Sequence, residues 1–579
     1  MPSFAAKEPT RSWWKESNVY QIYPSSFKDT NGDGIGDIQG IISELDHIKG
    51  LGADIIWICP CYRSPQVDMG YDISDYRDID PRYGTLADID ELIEKLHERG
   101  MKLLMDLVVN HTSDQHMWFQ SALTSKDSPY RDYYVWKKPK TGPNGERLPP
   151  NNWMSEFSGS VWEYDAASDE YYLHLFAVEQ PDLNWENPKV VEEVHSIVRY
   201  WLDKGVDGFR LDAINYISKD TTYPDVAATD SDQLYYDGKQ FYSNGPRMHE
   251  FLQGIGKILK SYNAFSVGEM GAFKDPKDVL DVVAESRVEL NMVFQFEIVD
   301  IDCGTSGRYF PQNWNLPQLK QIVTKWQTSM YENDGWNALF LENHDQGRSV
   351  SRFGSDLPEF RSISAKMLAT FLGLQSGTVF VYQGQELGMA NIPTTWDISQ
   401  FRDLWVFNVY NELVKAQDLT TLKVFKTELH KKGRDNSRTP VQWNSSDYAG
   451  FSAVQPWISV IDDYTTVNAA AQYEDPKSVY NYWSSVFKLR KSHKDLFVYG
   501  AFSLIDPTNE EIFAYERTYR EQRALVVLSF SAKSVSWSLP KHYDIGEKSD
   551  VLLANYDDCS PLVSKIEIRP FEAIVYKLD

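Results

Sequence analysis

The chain reads as an α/β protein built on a closed (β/α)8 barrel (a TIM barrel), with a small subdomain inserted after the third strand and an all-β domain at the C-terminus. Three observations predict this. Eight short apolar runs, at 19–24, 53–59, 102–109, 208–212, 265–269, 293–298, 338–341 and 379–382, are joined mostly by stretches of helical periodicity, the alternation a parallel barrel produces. The rhythm breaks once, at 112–184, where a segment rich in Trp, Tyr, Pro and Gly runs too long for a loop. Beyond about residue 500 the helical signal stops and strands alternate with turns. The plan is therefore a barrel from 1–111 and 185–500, an inserted subdomain at 112–184, and a β-sandwich at 501–579.

Taken in order, 19–24 is the first strand and 38–51 a helix. Between them lies 29–37, where Asp29, Asn31, Asp33 and Asp37 alternate with glycines. Such a pattern can fold oxygens onto one point, as in Ca²⁺ loops, and it equally suits a plain polar turn. The strand at 53–59 is apolar apart from Asp54, which implies burial on both faces. A helix at 85–100 follows and Gly100 stops it; strand 102–109 then ends in Asn110-His111. In the insertion, 116–123 is helical, 139–150 an exposed turn and 171–176 a short strand. The barrel resumes with helices at 190–205, 249–260, 316–331 and 359–374. In the tail, 512–519, 524–530, 551–553 and 571–578 read as strands.

Composition narrows the function. Apolar content of 42% is globular, and a formal net charge of -25 argues against nucleic acids and anionic membranes as partners. The four cysteines (Cys59, Cys61, Cys303, Cys559) lack zinc-site spacing and fit a reducing compartment. Residues 1–16 have no apolar core of the kind a secretory signal needs, and no run of 18 apolar residues occurs. The expectation is a cytoplasmic monomer with no organic cofactor.

Barrel chemistry collects where strands end. Asp106 and His111, Arg210 and Asp212, Glu269, and His344 and Asp345 all fall on or just after such strands. No nucleophile elbow, phosphate loop or Cys/His metal cluster accompanies them, which leaves carboxylates as the chemical agents. Acids in a cleft lined with aromatic rings suit a sugar: rings pack on pyranose faces while acids take hydroxyls. Glycosidic bonds need two carboxyl groups in different protonation states. Arg210 beside Asp212 would keep it ionised, as a nucleophile requires, and the small and apolar neighbours of Glu269 would raise its pKa, as a proton donor requires. A structural salt bridge and a solvated strand-end acid are the plainer alternatives.

The runs 106–111 (DLVVNH), 208–212 (GFRLD), 267–269 (VGE) and 342–345 (ENHD), with 66–72 (QVDMGYD) and 438–443 (RTPVQW), decide between these. Through them the chain resembles the α-amylase-type glycoside hydrolases, family 13, in the fungal maltase–isomaltase (α-glucosidase, oligo-1,6-glucosidase) group, from residue 14 to the C-terminal domain. The resemblance implies a retaining mechanism with Asp212 as nucleophile, Glu269 as general acid then base, and Asp345 as the third acid. It implies that His111 and His344 bind hydroxyls, that Tyr71 stacks under the first glucose, that Arg210 holds Asp212, and that Asp68 pairs with Arg438 to close the pocket. Phe157, Phe176, Phe296, Asp300 and Gln346 would complete the wall. Asp29, Asn31, Asp33, Ile35 (through its carbonyl) and Asp37 would hold a structural Ca²⁺. In this group Val after the nucleophile goes with α-1,6 bonds and Thr or Ala with α-1,4, so Ala213 implies a maltase that also takes sucrose and short α-gluco-oligosaccharides. Gly271, where yeast isomaltases carry Gln, points the same way. The alternatives are an oligo-1,6-glucosidase, a transglucosylating sucrose isomerase, and a catalytically dead sugar-binding relative; the last is disfavoured because all three acids are present.

Overall fold

The computed structural model describes residues 10–228, 234–271, 273, 275–304, 307–541, 543, 545 and 549–578. The eight barrel strands are β1 (Asn18–Ile22), β2 (Ile55–Ile58), β3 (Lys102–Val108), β4 (Gly208–Asp212), β5 (Phe265–Glu269), β6 (Met292–Phe294), β7 (Ala338–Leu339) and β8 (Thr378–Tyr382). They pair in parallel in the order β6-β5-β4-β3-β2-β1-β8-β7. A parallel bridge from Val293 to Asn337, the residue before β7, brings the two edges together. Each predicted run supplies one strand. The sixth is shorter than its apolar pattern because the chain turns after Phe294, and the Asp300 N–H closes back on the Phe296 carbonyl at 2.8 Å.

Residues of β1, β2, β4 and β8 are buried on both faces, inward against the barrel filling and outward against helices. Gly208 is required where β4 starts, since a Cβ there would lie 2.1 Å from the Phe265 carbonyl oxygen. The register sets Arg210 opposite Asp106 of β3 and Val267 of β5. The chemical residues are thus placed by strand pairing before any side chain packs.

The outer helices follow amphipathic logic. Leu86–Glu98 opens with a capping box between Thr85 and Asp88 and buries Ile89, Leu92, Ile93 and Leu96. Pro188–Asp203 buries Val190, Val194, Ile197, Val198, Trp201 and Leu202. The helix expected at 38–51 is two, Ile38–Ser43 and Leu45–Leu51, broken at Glu44 (φ −111°, ψ 15°), whose carboxylate is drawn into an ion pair with Lys28.

The inserted segment forms a three-stranded antiparallel sheet from Trp136–Lys137, Glu170–Leu173 and Trp162–Asp165. Its core of Trp153, Trp162, Tyr171 and Leu173 is continuous with Ala213 and Tyr216, just past the end of β4. Two helices over 404–432 carry no clear periodic stripe in the sequence. Leu404–Lys415 buries only Val406, and Leu419–Lys432 packs Phe425 and Leu429 with Tyr309, Ile392 and Phe401.

The C-terminal unit is an antiparallel sheet of Ala501–Ile505, Ile512–Tyr519, Gln522–Ser529, Ala573–Leu578 and Ser549–Ala554, in that spatial order. The pair Val535–Ser538 and Lys565–Ile568 faces it. Alternation splits this sheet: Ile512, Ala514, Leu525 and Val527 pack inside with Trp537 and Ile566, while Phe513, Tyr515 and Val526 join the barrel's core. No described helix is long and apolar enough to cross a membrane.

At the base of the barrel Arg490 is fully buried and donates to the carbonyls of Gly373 (3.0 Å), Gln375 (2.7 Å) and Gly377. These are the spare acceptors after helix Arg361–Gly373. Arg490→Met leaves them without a donor, at ~1–3 kcal/mol for each buried group. Scanning calorimetry of this variant should show a melting temperature lowered by ~5 °C or more, with activity at 25 °C retained.

Candidate active site

The catalytic candidates meet at the C-terminal ends of the strands. Asp212 ends β4 and Glu269 ends β5, while His111 and Asp345 follow β3 and β7. With Asp68, Tyr71, Glu156, Phe157, Phe176, Ala213, Asn215, Tyr216, Gly271, Arg308, Trp405 and Arg434 they line one cavity of about 210 Å³, on the scale of a single sugar ring. Among the described residues, two larger cavities lie elsewhere and are each lined by two acids, Glu332 and Asp334 in one and Asp356 and Asp397 in the other.

Arg210, 2% exposed, organises the site. Its Nη1 donates to Asp106 Oδ1 at 2.5 Å and Asp212 Oδ1 at 2.6 Å, and its Nη2 donates to Glu269 Oε2. One cation therefore serves three carboxylates. Burial pushes Asp212 up, Arg210 opposes this and Asp106 adds to it, leaving Asp212 at about 6. Arg210 does hold Asp212 and favours its ionised form, but the guanidinium is shared and burial outweighs its pull, so Asp212 stands above the usual carboxylate range. Burial also raises Glu269, against Arg210 and with help from Asp212 and Asp345, to about 8. Asp212 and Glu269 sit on the two terminal nitrogens of one guanidinium. Sharing that fork suits the short ~5 Å separation of double displacement better than the ~6.5–9.5 Å an inverting pair needs to admit water.

Asp345 behaves oppositely. Burial by itself would raise it, but His344, Arg434, Arg438 and Arg308 hold it well below the usual carboxylate range. Arg438 Nη2 lies 2.8 Å from Asp345 Oδ1. Burial keeps His344 neutral, with its pKa near 3. Gln21 donates to its Nδ1 at 2.9 Å, so the proton sits on Nε2, which meets Tyr71 Oη at 2.7 Å. Tyr71 also stacks on the His344 ring, 5.2 Å between centroids. His111 is likewise buried and lowered to about 4, and its Nε2 meets the Tyr71 carbonyl at 3.1 Å.

The expected Asp68–Arg438 pair does not form. Arg434 Nη2 contacts Asp68 Oδ1 at 3.2 Å, while Arg438 turns to Asp345 and the His344 carbonyl. Arg434 and Arg438 stand four residues apart on the helical turn Asp435–Arg438, so both reach one face, and the sequence reading credited only one. Arg434 is fixed from behind by Asp403, at 2.6 Å. Phe157 and Phe176 lie on the cavity wall in edge contact. Phe296 packs behind the wall on Phe340, Asp300 sits exposed outside it, and Gln346 is turned to Arg352, so none of the three lines the cavity.

Ala213 bends the chain out of β4 in the left-handed region (φ 40°, ψ 36°), a conformation costing a non-glycine residue ~1–3 kcal/mol. The turn places its methyl in the cavity wall beside Asp212. Glu156, Asn215, Tyr216, Arg308 and Trp405 are wall residues that sequence reasoning missed. They come from the inserted segment, the helical turn Ile214–Tyr216 past β4, the short strand Gly307–Pro311 and helix Leu404–Lys415, which carry no motif spacing.

At the 29–37 loop, Asp29 accepts from the Gly32 and Gly34 N–H groups, Asp37 from Thr30, Asn31 and Gly40, and Asp33 from Ile35. Among the described residues no three His, Cys, Asp or Glu side chains converge as metal ligands. The loop's carboxylates accept from N–H groups of the loop itself and of Gly40.

Comparison with known proteins bears on the same residues. The α-amylase catalytic domain model matches residues 21–500, and the maltogenic amylase C-terminal domain model matches 502–555. The chain belongs to the α-amylase-type glycoside hydrolases, family 13. It is 50% identical over 572 residues to an α-glucosidase of Schizosaccharomyces pombe, covering 98% of each chain. It is 50% identical over 570 residues to an oligo-1,6-glucosidase of Parageobacillus thermoglucosidasius, covering 98% of this chain and 99% of that one. The isomaltulose synthase SmuA of Protaminobacter rubrum superposes with a TM-score of 0.93 at 40% identity, covering 98% of this chain and 100% of that one. These place the glycosidase in the maltase–isomaltase group.

The titrations give a pH test. With Asp212 as nucleophile and Glu269 as acid, as the sequence implies, the reactive form would have Asp212 deprotonated and Glu269 protonated, so kcat/KM should rise as pH passes about 6 and fall as it passes about 8. Initial rates on maltose between pH 4.5 and 9.5 check this; a flat profile across that range would contradict the assignment.

Proposed function

We propose that the enzyme is a retaining, exo-acting α-glucosidase that removes one glucose at a time from the non-reducing end of maltose, sucrose and short α-glucosides. The observation that carries this reading is the Asp212–Glu269 pair on the Arg210 fork, beside a floor closed by Asp68, Arg434 and Asp345. In the first step Asp212 Oδ bonds to the anomeric carbon. The glycosidic C–O bond breaks, and its electron pair stays on the leaving oxygen, which takes the Glu269 proton. In the second step Glu269, now a carboxylate, takes a proton from water as the water oxygen displaces Asp212. Two inversions return α-glucose. Asp345, held ionised by its arginines, is suited to grip sugar hydroxyls throughout.

The small Ala213 side chain supports α-1,4 preference, although a methyl or two shifts selectivity by only ~1–3 kcal/mol. The oligo-1,6-glucosidase relative supports the second reading, cleavage of isomaltose. The isomaltulose synthase neighbour supports a third, transfer of glucose to another sugar hydroxyl. A proton-NMR time course on maltose, isomaltose and sucrose separates them. We expect α-glucose first from sucrose, whose leaving sugar is fructose, and a slower rate on isomaltose than on maltose. β-Glucose as the first glucose from sucrose would exclude retention, and a dominant isomaltose rate would exclude the maltase reading.

A Ca²⁺ ion at Asp29, Asn31, Asp33, Ile35 and Asp37 is proposed on the loop's sequence pattern. Binding would require these oxygens to exchange N–H partners for the ion. A site that binds only the folded chain raises the melting temperature with ligand concentration. Melting should therefore fall by several degrees in EDTA and recover in excess CaCl2, with kcat at 25 °C unchanged. Identical melting curves would leave the loop a polar turn.

A further inference from the structure

On the wall beyond the catalytic pair sits a carboxylate with no part in the chemistry above. Glu156, from the inserted segment, lines the cavity with its side chain 23% exposed. It is firmly held. Oε1 accepts from Tyr216 Oη at 3.0 Å and Tyr242 Oη at 3.2 Å, and Oε2 accepts from Lys239 Nζ at 3.0 Å. A carboxylate has about four acceptor positions, and three are filled. The remaining one is on Oε2.

Its position along the cavity follows from its partners: the next residue, Phe157, lies under Arg434 at the floor, whereas Glu156 turns to Tyr216, in the turn just past Asp212 and Ala213, and to Tyr242 and Lys239. Glu156 is therefore turned away from the floor formed by Asp68, Tyr71, His111 and Arg434, which takes the ring being cleaved off. The general acid protonates the departing oxygen, so a group away from the floor meets the leaving sugar. Charge is uneven there. Lys239 is one cation among the carboxylates of Glu156, Asp237 and Asp300, all of which raise its pKa against the effect of burial. Arg308, also on the wall, is committed to the Asp345 carbonyl at 2.6 Å and lies over Trp405.

We propose that Glu156 is the specificity residue for the leaving group: its free acceptor position takes a hydroxyl of a neutral sugar, and the acidic cluster around Lys239 turns away a sugar bearing phosphate. This rests on the α-glucosidase reading and adds the class of leaving group to it. Tyr216 and Tyr242 hold the carboxylate in place, so little rotamer freedom is lost when a sugar binds.

Glu156→Gln tests this, being nearly isosteric and uncharged. Three substrates are compared: maltose, 4-nitrophenyl α-glucoside, whose leaving group has no sugar hydroxyls, and trehalose 6-phosphate. For maltose, kcat/KM should fall ~10-fold or more, the worth of a hydrogen bond to a charged group. The aryl glucoside should stay within ~3-fold, and the rate on trehalose 6-phosphate relative to maltose should rise ~10-fold as repulsion is relieved. Equal losses on maltose and aryl glucoside, or no loss on maltose, would overturn the proposal. If the Gln variant does not fold, Glu156→Asp, which keeps the charge but withdraws it by one methylene, should show the same maltose-specific loss. Wild-type enzyme releasing α-glucose from the aryl substrate upholds the underlying reading independently, so the variants then judge Glu156 alone.

Discussion

One buried guanidinium carries this site. Arg210 serves Asp106, Asp212 and Glu269 together, in a place where water contributes little screening. Three negative charges against one positive charge cannot all be stable there, and the least supported carboxyl keeps its proton. That carboxyl is Glu269, which also faces Asp345. The different protonation of the two carboxyls on the fork thus follows from a charge deficit in a buried place, and it needs no special property of either residue. Asp106 has no direct chemical role in this account, yet its hydrogen bond from Trp57 Nε1 at 2.8 Å and its register opposite Arg210 fix the guanidinium from the far side.

The floor applies the opposite balance. Asp345 shares Arg434 with Asp68 and Asp403 but also takes Arg438 and feels Arg308, so around this one carboxylate cations prevail and it stays ionised. In one cavity the protein holds one carboxyl protonated and another strongly acidic, because burial raises Glu269 beyond what its shared arginine offsets while several arginines hold Asp345 down. The same arginines close the pocket at one end. A closed end and a cavity of about 210 Å³ favour a single terminal ring over the middle of a polymer.

Selectivity lies in parts that the barrel does not dictate. The inserted segment and the 404–432 helices face each other across the mouth, tied by Ser158 to Glu412 at 2.8 Å and by Asn408 to the Phe157 carbonyl at 3.2 Å. They contribute Glu156, Phe157, Phe176 and Trp405 to the wall. Barrel strands supply reactive groups at fixed spacing, whereas these segments can vary without disturbing the strand register. Relatives named as α-glucosidase, oligo-1,6-glucosidase and isomaltulose synthase share the frame, which accords with that division.

The sequence by itself determined the barrel and the identity of its reactive ends. Strands buried on both faces leave continuous apolar runs, and a catalytic strand end leaves acid, Arg or His directly after one, as in 208–212 and 342–345. The insertion and the β tail were legible for the same reason, as breaks in periodicity. Pairings between side chains were decided only by the tertiary structure. That Arg434 and not Arg438 meets Asp68, and that Arg210 is shared with Asp106 and Glu269, depend on distances between segments tens to hundreds of residues apart. The helices at 404–432 stayed hidden because they pack through scattered contacts rather than one apolar stripe. Periodicity records which face of an element is buried, but which partner a buried charge finds depends on the closed barrel.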